Sequence, residues 1–570
     1  MNLQRDQYVL GIDFGTTNTC AAFMTSREPD SRVVTFPNGA HLLKSCVQYG
    51  KNADVGDAAY KHLSAGKSGI VKNVKRILGR YYNDEIVQRC KREKQCAVDI
   101  EEVNDKPVLC IDSNSNIAPS DVASKIIQRI YETAEKYVKQ SYGSDMKCAK
   151  VMITFPANFN NNQRTATLLA VEKAGIPKEK LKMMNEPSAA AFHYCKLNKI
   201  DNQTILVYDL GGGTFDVSII KVNRGDYTVL KYAGDPFLGG ADFDSLFAEY
   251  IEKRCKSDFH VPLIRSTNDK VRRKLQAHLL SKAEEAKIEL SHVDSTYVDL
   301  TGFGIDSKKS LDSDSDDSDD DEYSLKVTRS ELNDCIRGLI DKSINLVKQC
   351  LSECGMSAYD IDRVVLIGGS SRLTIVEDRL KQMFGSTRVK SNDVDPELAV
   401  ARGACQSLVG NLNLKDRVVY SLGQLLLGGR IQCLIPRQSQ IPYTSQEMET
   451  FPPKDYTRSI SCAIYQGNAE NAGDIERQDD CVLVGRYTIE GYDYAPLTDV
   501  HFLTTFTIDE WGIIHVIDKY KEKNKVLVDK TFRWEEPELV RNNVDIELLR
   551  LLLLRELLSS FSVCIIHTHL

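Results

Sequence analysis

Short apolar runs that end in glycine turns punctuate the first 410 residues, at 8–12, 205–209 and 364–367, and longer stretches of helical periodicity separate them. That alternation predicts an α/β domain with strands feeding tight turns. A helix is expected over 121–140, opened by Ser120 and Asp121 after Pro119. Another is expected over 274–290, where Leu275, Leu279, Ala283, Ala286 and Leu290 make one apolar face. From about Val418 the rhythm shortens to strand-length runs between turns, as at 458–465, 484–489 and 502–508, so a separate β domain follows.

At 570 residues the chain is too long for one hydrophobic core, which agrees with this division. With 42% hydrophobic and 27% charged residues it has a soluble, globular composition. The net charge of -7 comes from one place: 312–322 holds seven Asp and one Glu, and setting those eight aside leaves +1. Charge therefore gives no reason to expect a nucleic-acid partner. The run 306–322, whose only apolar residue is Leu311, reads as a disordered surface loop. Acid-directed phosphorylation of Ser313, Ser315 or Ser318 is one use for it, and a solvated insertion without a role is the favoured one. Sixteen cysteines scattered without a CxxC pair suit reduced thiols in the cytoplasm, with the nucleus as a second compartment. The polar start at 1–8 is not a signal peptide, and 566–570 is not a retention signal. Glu547, Arg550, Arg555 and Glu556 interrupt the Leu-rich stretch 546–558, so no membrane span is expected.

Two segments about two hundred residues apart share one grammar. The first runs Asp13, Phe14, Gly15, Thr16, Thr17; the second runs Asp209, Leu210, Gly211, Gly212, Gly213, Thr214, and Asp216 follows. In each, a strand carries an Asp to its end, a Gly turn lets backbone N–H groups approach phosphate oxygens, and Thr hydroxyls add donors. The Asp beside such a turn is placed for hydrated Mg²⁺. A single Gly turn is weak evidence, whereas two matched turns suggest a duplicated fold that clamps one nucleotide. Neither is GxxxxGK[ST] or GxGxxG, so the Walker and dinucleotide readings fail. A third turn, Gly368, Gly369, Ser370, Ser371, Arg372, closes the strand at 364–367.

These three segments resemble the phosphate-1, phosphate-2 and adenosine motifs of the actin, hexokinase and heat-shock protein 70 superfamily. Segments 74–80, 154–159, 185–191 and 238–244 are similar to those of heat-shock protein 70 (DnaK-like) chaperones, in family order, and the match covers nearly all of 8–410. The resemblance implies an actin-like ATPase domain of duplicated ribonuclease H-like halves over 1–410, a linker over 411–419 and a β-sandwich peptide-binding domain over 420–535. A short helical tail over 536–570 stands in place of a full lid.

It also implies roles. Asp13 and Asp209 would hold hydrated Mg²⁺, with K⁺ as a further candidate ion, and Gly15, Thr16, Thr17 and Gly211, Gly212, Gly213, Thr214 would contact the phosphates of ATP or ADP. Lys75 would orient the attacking water, and Glu186 and Asp216 would help position water and ions, giving a catalytic set of Lys75, Glu186, Asp209, Thr214 and Asp216. Glu284, Lys287, Ser291, Gly368, Gly369, Ser370 and Arg372 would embrace the adenosine; the first three lie at i, i+3 and i+7 and share a helix face. Taken singly, Lys75 reads as a surface lysine, Glu186 as a turn residue and Glu284 with Lys287 as a solvated pair. Within seven ordered motifs the site reading prevails. Phe14, Lys44, Ala241 and Thr374 depart from the family pattern, and binding and slow hydrolysis are expected to survive them.

The linker has fewer apolar and more basic residues than the family's, so altered coupling between the domains is expected. In the β domain, Leu425, Leu427, Phe451 and Ile460 are candidates for an apolar peptide pocket, and plain sandwich core is an equal reading. One Leu-rich helix is expected over 545–558. No Glu-Glu-Val-Asp terminus occurs, so tetratricopeptide docking there is not implied. The resemblance implies an ATP-dependent chaperone that takes unfolded polypeptides with a J-domain partner and a nucleotide-exchange factor, with no nucleic acid and no membrane. A nucleotide-gated scaffold without a working cleft is the alternative, and the motif set argues against a sugar kinase.

Overall fold

The computed structural model describes residues 3–50, 53–64, 67–112, 115–260, 262–303, 324–390, 393–410, 412–426, 429–469, 475–477, 481–537 and 539. The acidic run 306–322, Leu427 and the helix expected over 545–558 lie outside them.

Two sheets share one plan, an antiparallel three-strand meander with a parallel strand beside its first strand. In the first, β1 (Gln7–Phe14), β2 (Asn18–Thr25) and β3 (Glu28–Val33) form an antiparallel meander, and β4 (Lys147–Phe155) and β5 (Leu181–Asn185) add in parallel beside β1, giving the order β5-β4-β1-β2-β3. In the second, β6 (Asn202–Leu210), β7 (Phe215–Asn223) and β8 (Asp226–Asp235) form the meander and β9 (Arg363–Ile367) runs parallel beside β6. Both leading strands are nearly continuous apolar runs because helices cover both sheet faces. The fold is thus an α/β, actin-like ATPase domain followed by a β-sandwich.

Local signals set the helix ends. α1 (Pro119–Tyr142) starts on proline at its first position and buries Val122, Ile126, Ile130, Ala134 and Val138 at helical spacing. α2 (Asn161–Lys173) starts in a capping box: Asn160 Oδ1 accepts from Gln163 N at 3.0 Å, and Asn160 N donates to Gln163 Oε1 at 3.2 Å. α3 (Glu186–Asn198), α4 (Gly240–Asp258), α5 (Asp269–Leu290) and α6 (Arg329–Glu353) follow, and α7 (Ala399–Val409) closes the domain. The expected apolar face of α5 lies against the second lobe's core. Between the halves, Ala189 and Phe192 of α3 meet Val400 and Ala404 of α7. Among the described residues no helix is long and apolar enough to cross a membrane.

The linker forms a strand, β10 (Asn413–Arg417), parallel to β8, and its far end pairs with Gln440–Ile441 of the β domain. One sheet therefore crosses from the second lobe into the sandwich. Polar groups seat this strand where an apolar run was missing: buried Asp416 accepts from Tyr232 Oη at 2.5 Å and from Asn185 Nδ2, and Arg417 Nε donates to the Val229 carbonyl at 2.6 Å. The unusual linker composition thus changes how the strand is held and not whether it docks.

In the sandwich, Arg430–Ile435, Ser421–Leu425, Ser459–Gly467 and Val482–Glu490 form one sheet, and Phe502–Ile508, Ile514–Tyr520 and Lys525–Thr531 the other. Leu422, Ile464 and Ile489 face Phe502, Phe506 and Val516 across the core. The sandwich also meets the first lobe at the start of α2. Asn161 N donates to Gln466 Oε1 at 2.8 Å, Asn161 Oδ1 accepts from Ile514 N at 3.0 Å, and buried Arg164 donates to the Trp511 carbonyl at 2.9 Å. Trp534 then inserts into the first lobe's core, edge-on to Tyr81 at 5.3 Å.

Candidate nucleotide site

The turn after β1 and the turn after β6 face each other, and their contact dictates residue type. A Cβ on Gly212 would fall 1.9 Å from Thr17 Oγ1, so no larger residue fits. Gly368 has φ +79°, and a Cβ there would fall 2.4 Å from the Leu210 carbonyl oxygen. Between the lobes these turns border a cavity of about 600 Å³. Asp13, Gly15, Thr16, Thr17, Lys75, Glu186, Asp209, Gly211, Gly212 and Thr214 line it, together with Glu284, Lys287, Ser291, Gly368, Gly369, Ser370 and Arg372. Of the residues expected from sequence, Gly213 and Asp216 are not on its wall. The Gly213 carbonyl accepts from Arg76 Nη2 at 2.9 Å, and Asp216 is buried.

Lys75 Nζ lies 2.7 Å from Glu186 Oε1, with both side chains nearly inaccessible. The ammonium also sits over the rings of Phe14 at 5.7 Å and Phe159 at 5.8 Å, so the unusual Phe14 supplies a cation–π face. Around this one cation stand four carboxylates. Burial and then the Glu186 charge push Asp13 up to about 7 and Asp216 up to about 8, in both cases against Lys75. The same two causes push Asp209 well above the usual carboxylate range. Desolvated carboxylates that lack enough positive charge fit a cation site. Among the described residues no three His, Cys, Asp or Glu side chains converge in direct ligand geometry.

The α5 residues reach the cavity already engaged. Lys287 Nζ is 2.6 Å from Asp244 Oδ1 and 3.2 Å from the Gly240 carbonyl. Burial alone would raise Glu284, but Lys44, Lys287 and Lys72 outweigh it and pull the carboxyl down to about 2. Lys44 Nζ sits 3.0 Å from Glu284 Oε1, and Tyr60 donates to Oε2. Arg372 pairs with Asp395 at 2.9 Å. Sequence reading missed Tyr60, Asp244 and the bridge from Arg76 to Asp242 at 2.7 Å. Asp242 and Asp244 fall in the 238–244 motif and Lys44 was noted as a departure, so the signal was present without a partner to interpret it.

The peptide candidates do not meet. Leu425 packs with Ile431, Ala463 and Tyr465, whereas Ile460 packs into the sandwich core, so the two point to opposite faces of one sheet. Phe451 is half exposed and lies edge-on to His501 at 5.4 Å. Leu427 is outside the described residues. Strand alternation thus puts Leu425 and Ile460 on different faces, and the packing of Ile460 agrees with the sandwich-core reading held beside the pocket.

A duplicated α/β domain with facing phosphate-type turns, joined by a strand to a β-sandwich, defines an actin-like nucleotide-binding ATPase with an appended β domain. The family model described as Hsp70 protein matches residues 9–541. The chain belongs to the heat-shock protein 70 family, whose members are ATP-dependent chaperones that bind nucleotide with Mg²⁺.

Proposed function

We propose that this chain binds and hydrolyses ATP in the cleft between its lobes and uses that cycle to control the hold of its β-sandwich on extended apolar segments of unfolded polypeptides. The observation that carries the reading is the cavity itself, in which two matched Gly/Thr turns, the carboxylates of Asp13, Glu186 and Asp209 and the buried Lys75 converge while the α5 side chains line the same space. Asp13 and Asp209 would hold a hydrated Mg²⁺, which when bound offsets phosphate charge. Backbone N–H groups of 211–214 and the hydroxyls of Thr16, Thr17 and Thr214 bind the phosphates. Lys75 orients the attacking water and meets charge as it develops on the γ-phosphoryl oxygens, and Glu186 holds that water in line, while Asp216, buried behind the cavity wall, adds negative charge beside Glu186 and Lys75. Glu284, Lys287, Ser291, Gly368, Gly369, Ser370 and Arg372 receive the adenosine.

Coupling follows from connectivity. Asp416 of the linker strand is hydrogen-bonded to Asn185, the residue before Glu186, so the linker strand holds the chain next to the proposed catalytic carboxylate. A J-domain partner and a nucleotide-exchange factor are the partners that the family relationship supports. The test is steady-state ATPase with and without an apolar extended peptide and a J-domain. Stimulation of severalfold or more supports the chaperone. ATP binding without stimulation by either would replace it with a nucleotide-gated scaffold.

A further inference from the structure

The chain leaves the sandwich along the first lobe, and its path there is pinned step by step. Trp534 enters the lobe's core, the Glu535 carbonyl accepts from Lys106 Nζ, and the Glu536 carboxylate takes Ser120 N at 3.0 Å and Lys173 Nζ at 2.8 Å. A little further on, half-buried Leu539 stands on the wall of a groove of about 1640 Å³ between the two lobes. This groove is distinct from the nucleotide cavity, and Lys72 alone borders both. Nothing in the hydrolysis scheme uses it.

Both walls of the groove present apolar side chains. Leu246 of α4, Leu280 of α5 and Leu339 of α6 come from the second lobe, and Ile111 of the strand Lys106–Asp112 comes from the first. None of the four is fully buried, and Leu246 is 36% exposed. Apolar surface left open on two facing walls calls for an apolar occupant. The chain itself supplies one. Thirty-one residues follow Leu539, and the stretch 545–558, outside the described residues, holds eight leucines. At the helical spacing the sequence predicts there, Leu549 and Leu552 fall on one side and Leu554 and Leu558 on the opposite side. A helix that is apolar all round must be covered on more than one side, which a flat sheet face does not do and a two-walled groove does. Fourteen residues make a helix about 21 Å long and about 10 Å across, roughly 1600 Å³ as a cylinder, which matches the groove. The five residues 540–544 reach at most about 17 Å, and no more is needed, since Leu539 already stands on the wall.

We propose that the segment 545–558 of this chain lies in the groove between the lobes as an internal ligand, and that by bridging them it slows the opening through which ADP leaves. The segment touches both walls only while the lobes stand close, so its binding favours the closed arrangement over the open one. Because it is tethered to a chain already fixed at Glu536, its effective concentration at the groove is high and a modest contact suffices.

The effect on ADP rests on the proposed ATP site; the docking does not. The full chain, with photoreactive benzoylphenylalanine in place of Leu552, is irradiated, digested and mapped. The expected result is cross-links within one chain to peptides that contain Leu246, Leu339 or Ile111. Cross-links confined to the sandwich, 421–531, or formed only between two copies, overturn the proposal. In stopped flow, full-length chain carrying Leu549→Asp and Leu552→Asp together should release a fluorescent ADP about fivefold faster than wild type, and Leu246→Asp should do the same from the groove side. All three substitutions combined should release it no faster than either set, because both sets break one contact. Unchanged release, or two effects that multiply, overturns the bridging role. A wild-type chain that binds no ADP fails the ATP reading instead, and the docking is then judged by the cross-links alone.

Discussion

Lys75 is a buried ammonium held against Glu186 and the rings of Phe14 and Phe159, so its worth changes with the charge of what stands before it. On the proposed reading, ground-state nucleotide would leave the Glu186 pair intact, and charge migrating onto the transferring group would give the ammonium a second partner. Lys75→Ala should lower single-turnover hydrolysis by about 10²–10³-fold, the range for removing one such group, while ATP affinity measured by competition stays within about threefold. Full turnover in a folded variant would mean that another group does this work. Lys44 acts differently. It reaches from the first lobe to Glu284 of α5 over the cavity mouth, and it stacks over Tyr60 at 4.8 Å. A half-buried ion pair of this kind contributes about 1 kcal/mol, so Lys44→Met should raise the stopped-flow ADP off-rate about fivefold. An unchanged off-rate would show that the lobes part elsewhere.

The start of α2 carries several of the hydrogen bonds that join the first lobe to the sandwich. Asn161 alone gives the sandwich three hydrogen bonds, to Gln466, Phe532 and Ile514. Asn161→Ala removes the two made by its side chain and orphans Ile514 N, at a cost of about 1–3 kcal/mol. Proteolysis at residues 411–419 should then speed up about tenfold with ATP affinity unchanged, and equal cleavage rates would rule out this junction as the point of docking. Elements were legible in proportion to how local their causes are. The Gly/Thr turns and the α5 face could be read because their spacing lies within a few residues, and the Asn160 capping box has the same local character. The Asn161 junction, the Tyr60 contact to Glu284 and the insertion of Trp534 join residues more than two hundred positions apart, and nothing near them in sequence marks the partner. The faces taken by Leu425 and Ile460 were not legible for a related reason, since which face a residue takes depends on strand register that hydrophobicity alone does not fix.

Among the described residues, four buried carboxylates of the cleft share the single lysine Lys75. Asp13 and Asp216 have folded pKa values of about 7 and about 8, above their usual value of 3.8. The folded chain therefore binds protons more tightly than the unfolded one, so stability is greatest in acid and is lost as pH rises through that interval. Without nucleotide the unfolding midpoint should drop by about 3 °C between pH 6 and pH 8, and with Mg²⁺ and ADP the drop should disappear. A flat profile in both states would place the cleft charge elsewhere. The helix α7 has a consequence of another kind. It covers Val9, Cys20, Ala22 and Met24 of the first two strands through Ala401 and Cys405, almost four hundred residues later in the chain. On a ribosome adding about 5–20 residues per second, the opening hairpin emerges roughly 20–80 s before its cover exists. During that interval this chain, itself of a chaperone family, presents a bare apolar sheet, and a fragment ending at residue 398 should aggregate where one ending at residue 410 stays monomeric by light scattering. Its own birth is therefore the first occasion on which it needs a helper.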